Sequence, residues 1–323
     1  MRELAYYEAK FEALGEIMAA DERVHLIGGT FLSLSTRRAI YQELVKKYPG
    51  RAVSPPISEL SFCGLATGAA MAGLRPIVDL STGSFIFEAW PQVANEAANA
   101  LYMSAGQTRV PVVFHIFHGI RGGGAAQHSH SPQAMFWNCP GLEIVLPSSP
   151  RDVKGLLKTA VASDNPTIFV DHVQLLEVRG EVPENDKPIP FGQADVKRKG
   201  SDVTVIATSL EVQKSLGAAE RLAEEGIQVE VVDPRTVVPL DFQTLLASVE
   251  KTGRVVIVDQ CHRSCGIAAE LAARIAEEGF DKLKAPLRRV TTPDVPIPFS
   301  PPLEEFVTPS ESRIIDAVRA VLR

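Results

Sequence analysis

Short apolar, β-branched runs alternate with helix-length segments along almost the whole chain, and this alternation constrains the fold more than any other feature of the sequence. Val24–Ile27, Pro76–Leu80, Val110–Phe117, Leu142–Leu146 and Thr167–Asp171 read as strands. Helices are predicted over Tyr6–Ala19, Ser35–Tyr48, Ser61–Gly73 and Pro150–Ala162, with another opened by Pro91 and carrying Val93, Ala97, Leu101 and Ser104 at spacing four. In the first helix Phe11, Leu14 and Met18 share a face, with the charges of Glu3, Glu8, Lys10 and Glu12 placed elsewhere. Strands without a polar face, separated by helices, call for a parallel sheet covered on both sides. A charged, proline-rich stretch from Glu181 to Pro190 reads as a linker, and the alternation then resumes. Val203–Ala207, Gln228–Val232, Arg254–Asp259 and Arg289–Thr291 are the later strands; Glu211–Glu225, Phe242–Lys251, Ile267–Glu278 and Ser310–Leu322 are the later helices. The expectation is an α/β protein of two three-layer domains, residues 1–185 and 186–323.

Composition narrows the function classes. A net charge of -6 offers no electrostatic reason to bind nucleic acid or an anionic membrane. No apolar run approaches the ~20 residues of a membrane span, and Met1–Lys10 shows no secretory or transit pattern. The four cysteines Cys63, Cys139, Cys261 and Cys265 suggest reduced thiols. The expected location is the cytoplasm.

One stretch stands out chemically. Ser54-Pro55-Pro56-Ile57-Ser58-Glu59 places a carboxylate after a rigid segment, at the start of a run in which Gly64, Gly68 and Ala72 recur at spacing four. That face lets another backbone approach closely. Each glycine within a helix costs roughly 1 kcal/mol against alanine, so packing or function must offset it. Glu59 is either a surface carboxylate favouring a helix N-terminus or a carboxylate held against a buried partner.

Pro56-Ile57-Ser58-Glu59, the Gly64–Gly73 segment and Leu74-Arg75-Pro76 resemble the beta subunit of the thiamine-diphosphate-dependent 2-oxo-acid dehydrogenases, the pyruvate dehydrogenase type. The resemblance continues through Ala98–Gly106, Ala126-Gln127-His128-Ser129, Cys139-Pro140-Gly141-Leu142 and Asn165-Pro166. It implies a transketolase-like pyrimidine-binding domain followed by a transketolase C-terminal domain. It implies further that Glu59 bonds the cofactor's ring nitrogen and drives the aminopyrimidine to its imino form. Phe85 would then pack the pyrimidine, with Ile57 and Leu80 as further cofactor contacts and His128 as a proton shuttle. On residues alone Phe85 could equally be core, and His128 a surface loop histidine. An offset aromatic stack contributes about 0.5–1.5 kcal/mol beyond burial, and an imidazole titrates near neutral pH. A potassium ion on the main-chain carbonyls of Val112, Ala160, Ser163 and Asn165 is also implied.

Two spacings invite metal readings without supporting them. His128-x-His130 lacks a third ligand nearby, and Cys261-x3-Cys265 lacks a second pair, so the latter reads as a connecting loop. The chain also lacks the Gly-Asp-Gly with which the family holds magnesium on the diphosphate. A partner alpha subunit is therefore expected to supply magnesium and the diphosphate half, in an α2β2 assembly that also engages a lipoyl acyltransferase core. The small-residue face after Glu59 is the expected meeting place.

The chain departs from the family at Gly28-Gly29-Thr30, where acidic residues are usual, and at Trp90-Pro91. It also reads Phe114-His115-Ile116-Phe117-His118-Gly119 in place of Phe-Arg-Gly-Pro-Asn-Gly, exchanging a permanent cation for titratable imidazoles. The preferred function is decarboxylation of a 2-oxo acid with the acyl unit passed to lipoamide. The alternatives are an acetoin-type or carboligating, transketolase-like enzyme and a non-catalytic scaffold.

Overall fold

The computed structural model describes residues 1–28, 38–184 and 186–323, so Gly29, Thr30 and the first residues of the helix expected from Ser35 lie outside the described residues. The described chain gathers into two compact units: Met1–His118 with Phe136–Phe191, and Gly119–Met135 with Gly192–Arg323.

The first unit contains β1 (Arg2–Ala5), α1 (Tyr6–Ala20), β2 (Val24–Gly28), α2 (Arg38–Lys47), β3 (Ala52–Val53), α3 (Glu59–Met71), β4 (Arg75–Thr82), α4 (Ala100–Met103) and β5 (Val113–His118). After α5 (Gln133–Trp137) follow β6 (Glu143–Val145), α6 (Pro150–Ala162), β7 (Thr167–His172) and β8 (Arg179–Val182). The strands run β6-β7-β5-β4-β2-β3, all parallel, as their uninterrupted apolar character requires. Helices α1 and α6 pack on each other, and α3 packs on β4. Ser149 begins α6 by accepting a hydrogen bond from the Asp152 amide at 3.2 Å, and Pro150 fills its first turn.

Three local expectations change. The helix opened by Pro91 is a wide π-helical turn over Pro91–Ala97, followed by the short α4. The supposed linker is in part strand, because β8 pairs antiparallel with β1, Glu181 opposite Glu3. Lys10, placed among the surface charges, is buried.

The second unit contains β9 (Asp195–Arg198), β10 (Val203–Ala207), α7 (Leu210–Glu224), β11 (Val229–Asp233), β12 (Thr236–Val238), α8 (Phe242–Thr252), β13 (Val255–His262), α9 (Ile267–Glu278), β14 (Arg288–Thr292), α10 (Pro301–Val307) and α11 (Glu311–Leu322). Its sheet runs β14-β13-β10-β11-β9, with only β9 antiparallel to its neighbour. Val203, Val205 and Ala207 share a core with α7 and α11. The intervening Thr204 hydroxyl instead donates to the Ser248 carbonyl of α8 at 2.8 Å. The two-residue period of one strand thus clothes both faces of the sheet, giving the expected three layers.

Candidate active site

Glu59 is the first residue of α3. Ser58 before it is extended (φ -166°, ψ 94°) and its side chain does not cap the helix, donating instead to the Ser61 hydroxyl at 2.8 Å. The unsatisfied first-turn amides favour a negative group there, and Glu59 supplies one. Glu59 is half-buried, while Ile57 is 92% exposed and Leu60 and Leu65 are also exposed. One turn on, Cys63 is buried; burial, and then the charge of Glu59, push its thiol up, so it stays protonated. Helix α3 packs on β4, which carries the buried Leu80, and on the 3-10 turn Gly83–Ala89, which carries the half-buried Phe85. The fold therefore sets the elements bearing Glu59, Leu80 and Phe85 against one another.

The small-residue face of α3 is shared between two environments. A Cβ on Gly64 would stand 3.2 Å from Gln92 Oε1, so that end is taken by the chain's own Pro91–Ala97 turn. A Cβ on Gly68 would meet nothing within 4 Å.

Beneath this layer lies a polar cluster that sequence reasoning missed. Lys10 Nζ donates to Asp171 Oδ2 at 2.5 Å and lies 2.7 Å from His115 Nε2. His115 Nε2 is 2.9 Å from the same Asp171 oxygen, and His115 Nδ1 is 3.2 Å from Asp79 Oδ1. The Tyr6 hydroxyl donates to Asp171 Oδ1, and the Ser81 amide to Asp79 Oδ1 at 2.9 Å. All of these side chains except that of Ser81 are buried. Burial pushes the Lys10 ammonium below its usual range against the pull of Asp171. Burial also opposes the charge on Asp171, but Lys10 and His115 outweigh it and hold that carboxyl low. The His115 ring thus bridges two carboxylates: Nδ1 faces Asp79, and Nε2 faces both Asp171 and the Lys10 ammonium. His118, on the same strand, stands edge-on to His172 at 5.1 Å between ring centres. The imidazoles that replace the family's Arg and Asn are thus interior groups.

His128 belongs to the second unit, at the end of a 3-10 turn (Ala126–His128) in the glycine-rich segment. Its ring is exposed, with Nδ1 3.4 Å from Arg121 Nη2. The segment is pinned: the Ile120 amide donates to Gln260 Oε1 at 2.9 Å, and the Gly123 amide to both oxygens of Glu304 at 2.9 and 3.0 Å. A Cβ on Gly124 would stand 2.6 Å from the buried Ser129 hydroxyl oxygen, which explains that glycine. His130 is half-buried; burial, and then His262, push its pKa down.

Cys261 is not in a loop. It lies near the end of β13, buried, with Sγ 3.4 Å from the Ser131 carbonyl oxygen to which it donates, and burial pushes its thiol well up. Cys265 is exposed, at φ 56°. Among the described residues no group of three His, Cys, Asp or Glu side chains is placed to hold a metal. Of the four carbonyls assigned to potassium, Val112 accepts from the Thr167 amide at 2.9 Å and Ser163 from Arg75 Nη1 at 2.8 Å. Ala160 is near the end of α6, and Asn165 begins the approach to β7.

Known proteins match the sequence along almost its whole length. The transketolase pyrimidine-binding domain family matches residues 2–179, and the transketolase C-terminal domain family residues 192–314. The chain is 42% identical over 315 residues to a pyruvate dehydrogenase E1 component subunit beta of Rickettsia felis, covering 97% of each. It is 38% identical over 337 residues to the acetoin:2,6-dichlorophenolindophenol oxidoreductase subunit beta of Bacillus subtilis, covering 99% of this chain and 98% of the other. A solved structure described as a split gene transketolase, inactive beta4 tetramer, shares the fold with a TM-score of 0.80 at 24% identity, over 99% of this chain and 98% of that one. The chain belongs to the family of thiamine-diphosphate-dependent dehydrogenase E1 beta subunits, with the transketolase pyrimidine-binding and C-terminal domains in that order.

Proposed function

We propose that this chain supplies the pyrimidine half of a thiamine-diphosphate site and, with an alpha subunit, decarboxylates a 2-oxo acid such as pyruvate. The carrying observation is the position of Glu59, at the amide-bearing start of a helix packed against the Phe85 turn. A carboxyl on a helix packed against the turn that carries a half-buried aromatic ring, with the exposed apolar Ile57 two residues before it, fits an aminopyrimidine, which needs one acid and one flat surface. When bound, the thiazolium ring would supply a nucleophilic carbon and an electron sink for decarboxylation. Glu59 holds a proton at the ring nitrogen, Phe85 orients the ring, Leu80 and Ile57 exclude water, and His128 exchanges protons with the substrate or acceptor. Magnesium and the diphosphate fall to the alpha subunit in an α2β2 assembly, and lipoamide on an acyltransferase core is the acceptor. Potassium on Val112, Ala160, Ser163 and Asn165 would use the second lone pair of the Val112 and Ser163 carbonyls. We place the domain boundary at residues 185 and 186, in the gap between the two family matches. No helix among the described residues is long and apolar enough to cross a membrane, and the cytoplasm is the proposed location.

Acetoin cleavage is a second reading, favoured by the acetoin oxidoreductase relatives and by the interior His115 and His118. Co-expression with an alpha subunit carrying Gly-Asp-Gly, then assay of pyruvate-dependent lipoamide reduction against acetoin-dependent dye reduction, separates the two. Glu59→Gln should cut turnover by about 10²–10⁴-fold. Full activity in that variant, or turnover by this chain alone, would overturn the assignment.

A further inference from the structure

Strand β4 carries an irregularity beside the Leu80–Phe85 segment. Asp79 pairs with His115 and Thr82 with Phe117, so three steps along β4 span two along β5: one residue is extra. The extra residue brings Ser81 into the left-handed region at φ 63°, which a side chain with a Cβ resists. Such strain persists only where surrounding groups over-determine it.

A chain of buried polar groups leads to Ser81. The Ser81 amide donates to Asp79 Oδ1, and that same oxygen faces His115 Nδ1 at 3.2 Å. His115 Nε2 in turn lies 2.7 Å from Lys10 Nζ, and Lys10 is anchored to Asp171. The Asp79 backbone is held from the other side by its pairing with Gly28, where a Cβ would stand 2.4 Å from the Asp79 carbonyl oxygen.

We propose that Lys10, His115 and Asp79 are positioning residues: a buried hydrogen-bond chain from α1 through β5 that holds the bulge at Ser81 and so aims the Leu80–Phe85 segment at the pyrimidine ring. The aiming step rests on the thiamine reading above; the bulge-holding step does not. The direction of the chain gives it a specific requirement. Only a donor at the Nδ1 position of residue 115 can restrain the Asp79 carboxylate, whereas the Nε2 position serves Lys10 and Asp171.

Two isosteric replacements separate these jobs. Asparagine places its amide nitrogen near the histidine Nδ1 position, and glutamine places its own near Nε2. In the complex with an alpha subunit, His115→Asn should keep the thiamine diphosphate Kd within about twofold of wild type, and His115→Gln should weaken it at least tenfold with a matched melting temperature. Adding Ser81→Gly to His115→Gln should restore most of the affinity, because glycine adopts φ > 0 without support. A packing role for His115 predicts no such rescue. Equal Kd values for Asn and Gln, or failure of Ser81→Gly to rescue, would overturn the proposal. Should either variant not fold, amide exchange on the wild-type chain decides. The Ser81 amide should be protected as strongly as its β4 neighbours, and loop-like exchange there refutes the bulge-holding step. A wild-type complex that binds no thiamine diphosphate but protects Ser81 would instead refute the thiamine reading.

Discussion

Lys10 and Asp171 form a fully buried ion pair, with Nζ 2.5 Å from Oδ2 and side-chain exposures of 3% and 0%. At that separation the gross attraction is on the order of 7 kcal/mol at an effective dielectric constant of about 20. Removing each ion from water costs several kcal/mol, so the pair as a whole contributes little net stability. Removing one member is different, because it leaves the other buried without its counter-charge. Lys10→Met should therefore destabilise the chain by about 3–5 kcal/mol, a fall of roughly 6–20 °C in melting temperature for a domain of this size. Asp171→Asn alone should cost less, since the amide oxygen still accepts from the Tyr6 hydroxyl and only Lys10 loses its counter-charge. The double variant should recover most of the Lys10→Met loss, giving a coupling energy above about 2 kcal/mol in a double-mutant cycle followed by urea denaturation. Additive effects would refute the reasoning. So would a Lys10→Met loss below about 1 kcal/mol, which would show that water reaches Asp171 in the folded chain.

Gly141 sits at φ 101°, with the Ala98 carbonyl oxygen 2.0 Å from where a Cβ would stand, whereas Gly106 at φ 83° has nothing within 4 Å. Gly141→Ala should thus cost about 2–5 kcal/mol and Gly106→Ala only the conformational part, as compared by thermal melting. Glu211 is fully buried, and its pKa is raised first by burial and then by Asp259. A carboxyl raised on folding contributes stability that is complete below about 4.5 and is lost as pH rises through the folded value. Glu211→Gln should accordingly raise the urea midpoint at pH 8 and leave it unchanged at pH 4.

The fold was legible because both sheets are buried on both faces, which makes their strands uninterrupted apolar runs. Pro150–Ala162, Val203–Ala207 and Ile267–Glu278 start and stop where their periodicity says. Strands β1, β8 and β9 escaped detection because each is four residues long, rich in charge and at an edge, so no apolar signal marks them. Lys10 was misplaced although the signal was present. It is four residues before Leu14 and eight before Met18, on the stripe that is buried, and its charge outweighed its spacing. Spacing could have found the lysine but not its partners. Asp79, His115 and Asp171 meet only because β4, β5 and β7 are adjacent in the sheet, and that order is set by crossovers no local pattern records.

The same distinction explains why Glu59 could be chosen from the sequence but its working state could not. A carboxyl that must present a proton has to be dry, and in this chain Glu59 is half-buried beside a 92%-exposed Ile57 and exposed Leu60 and Leu65. Covering an apolar side chain of that kind stabilises a complex by roughly 1.5–3 kcal/mol when burial is complete. Under the proposed function, the surface that draws a partner subunit is therefore also the surface whose covering dries the acid. Assembly and activation of the cofactor site would then be a single event, and the bare Ile57 side chain is its physical basis.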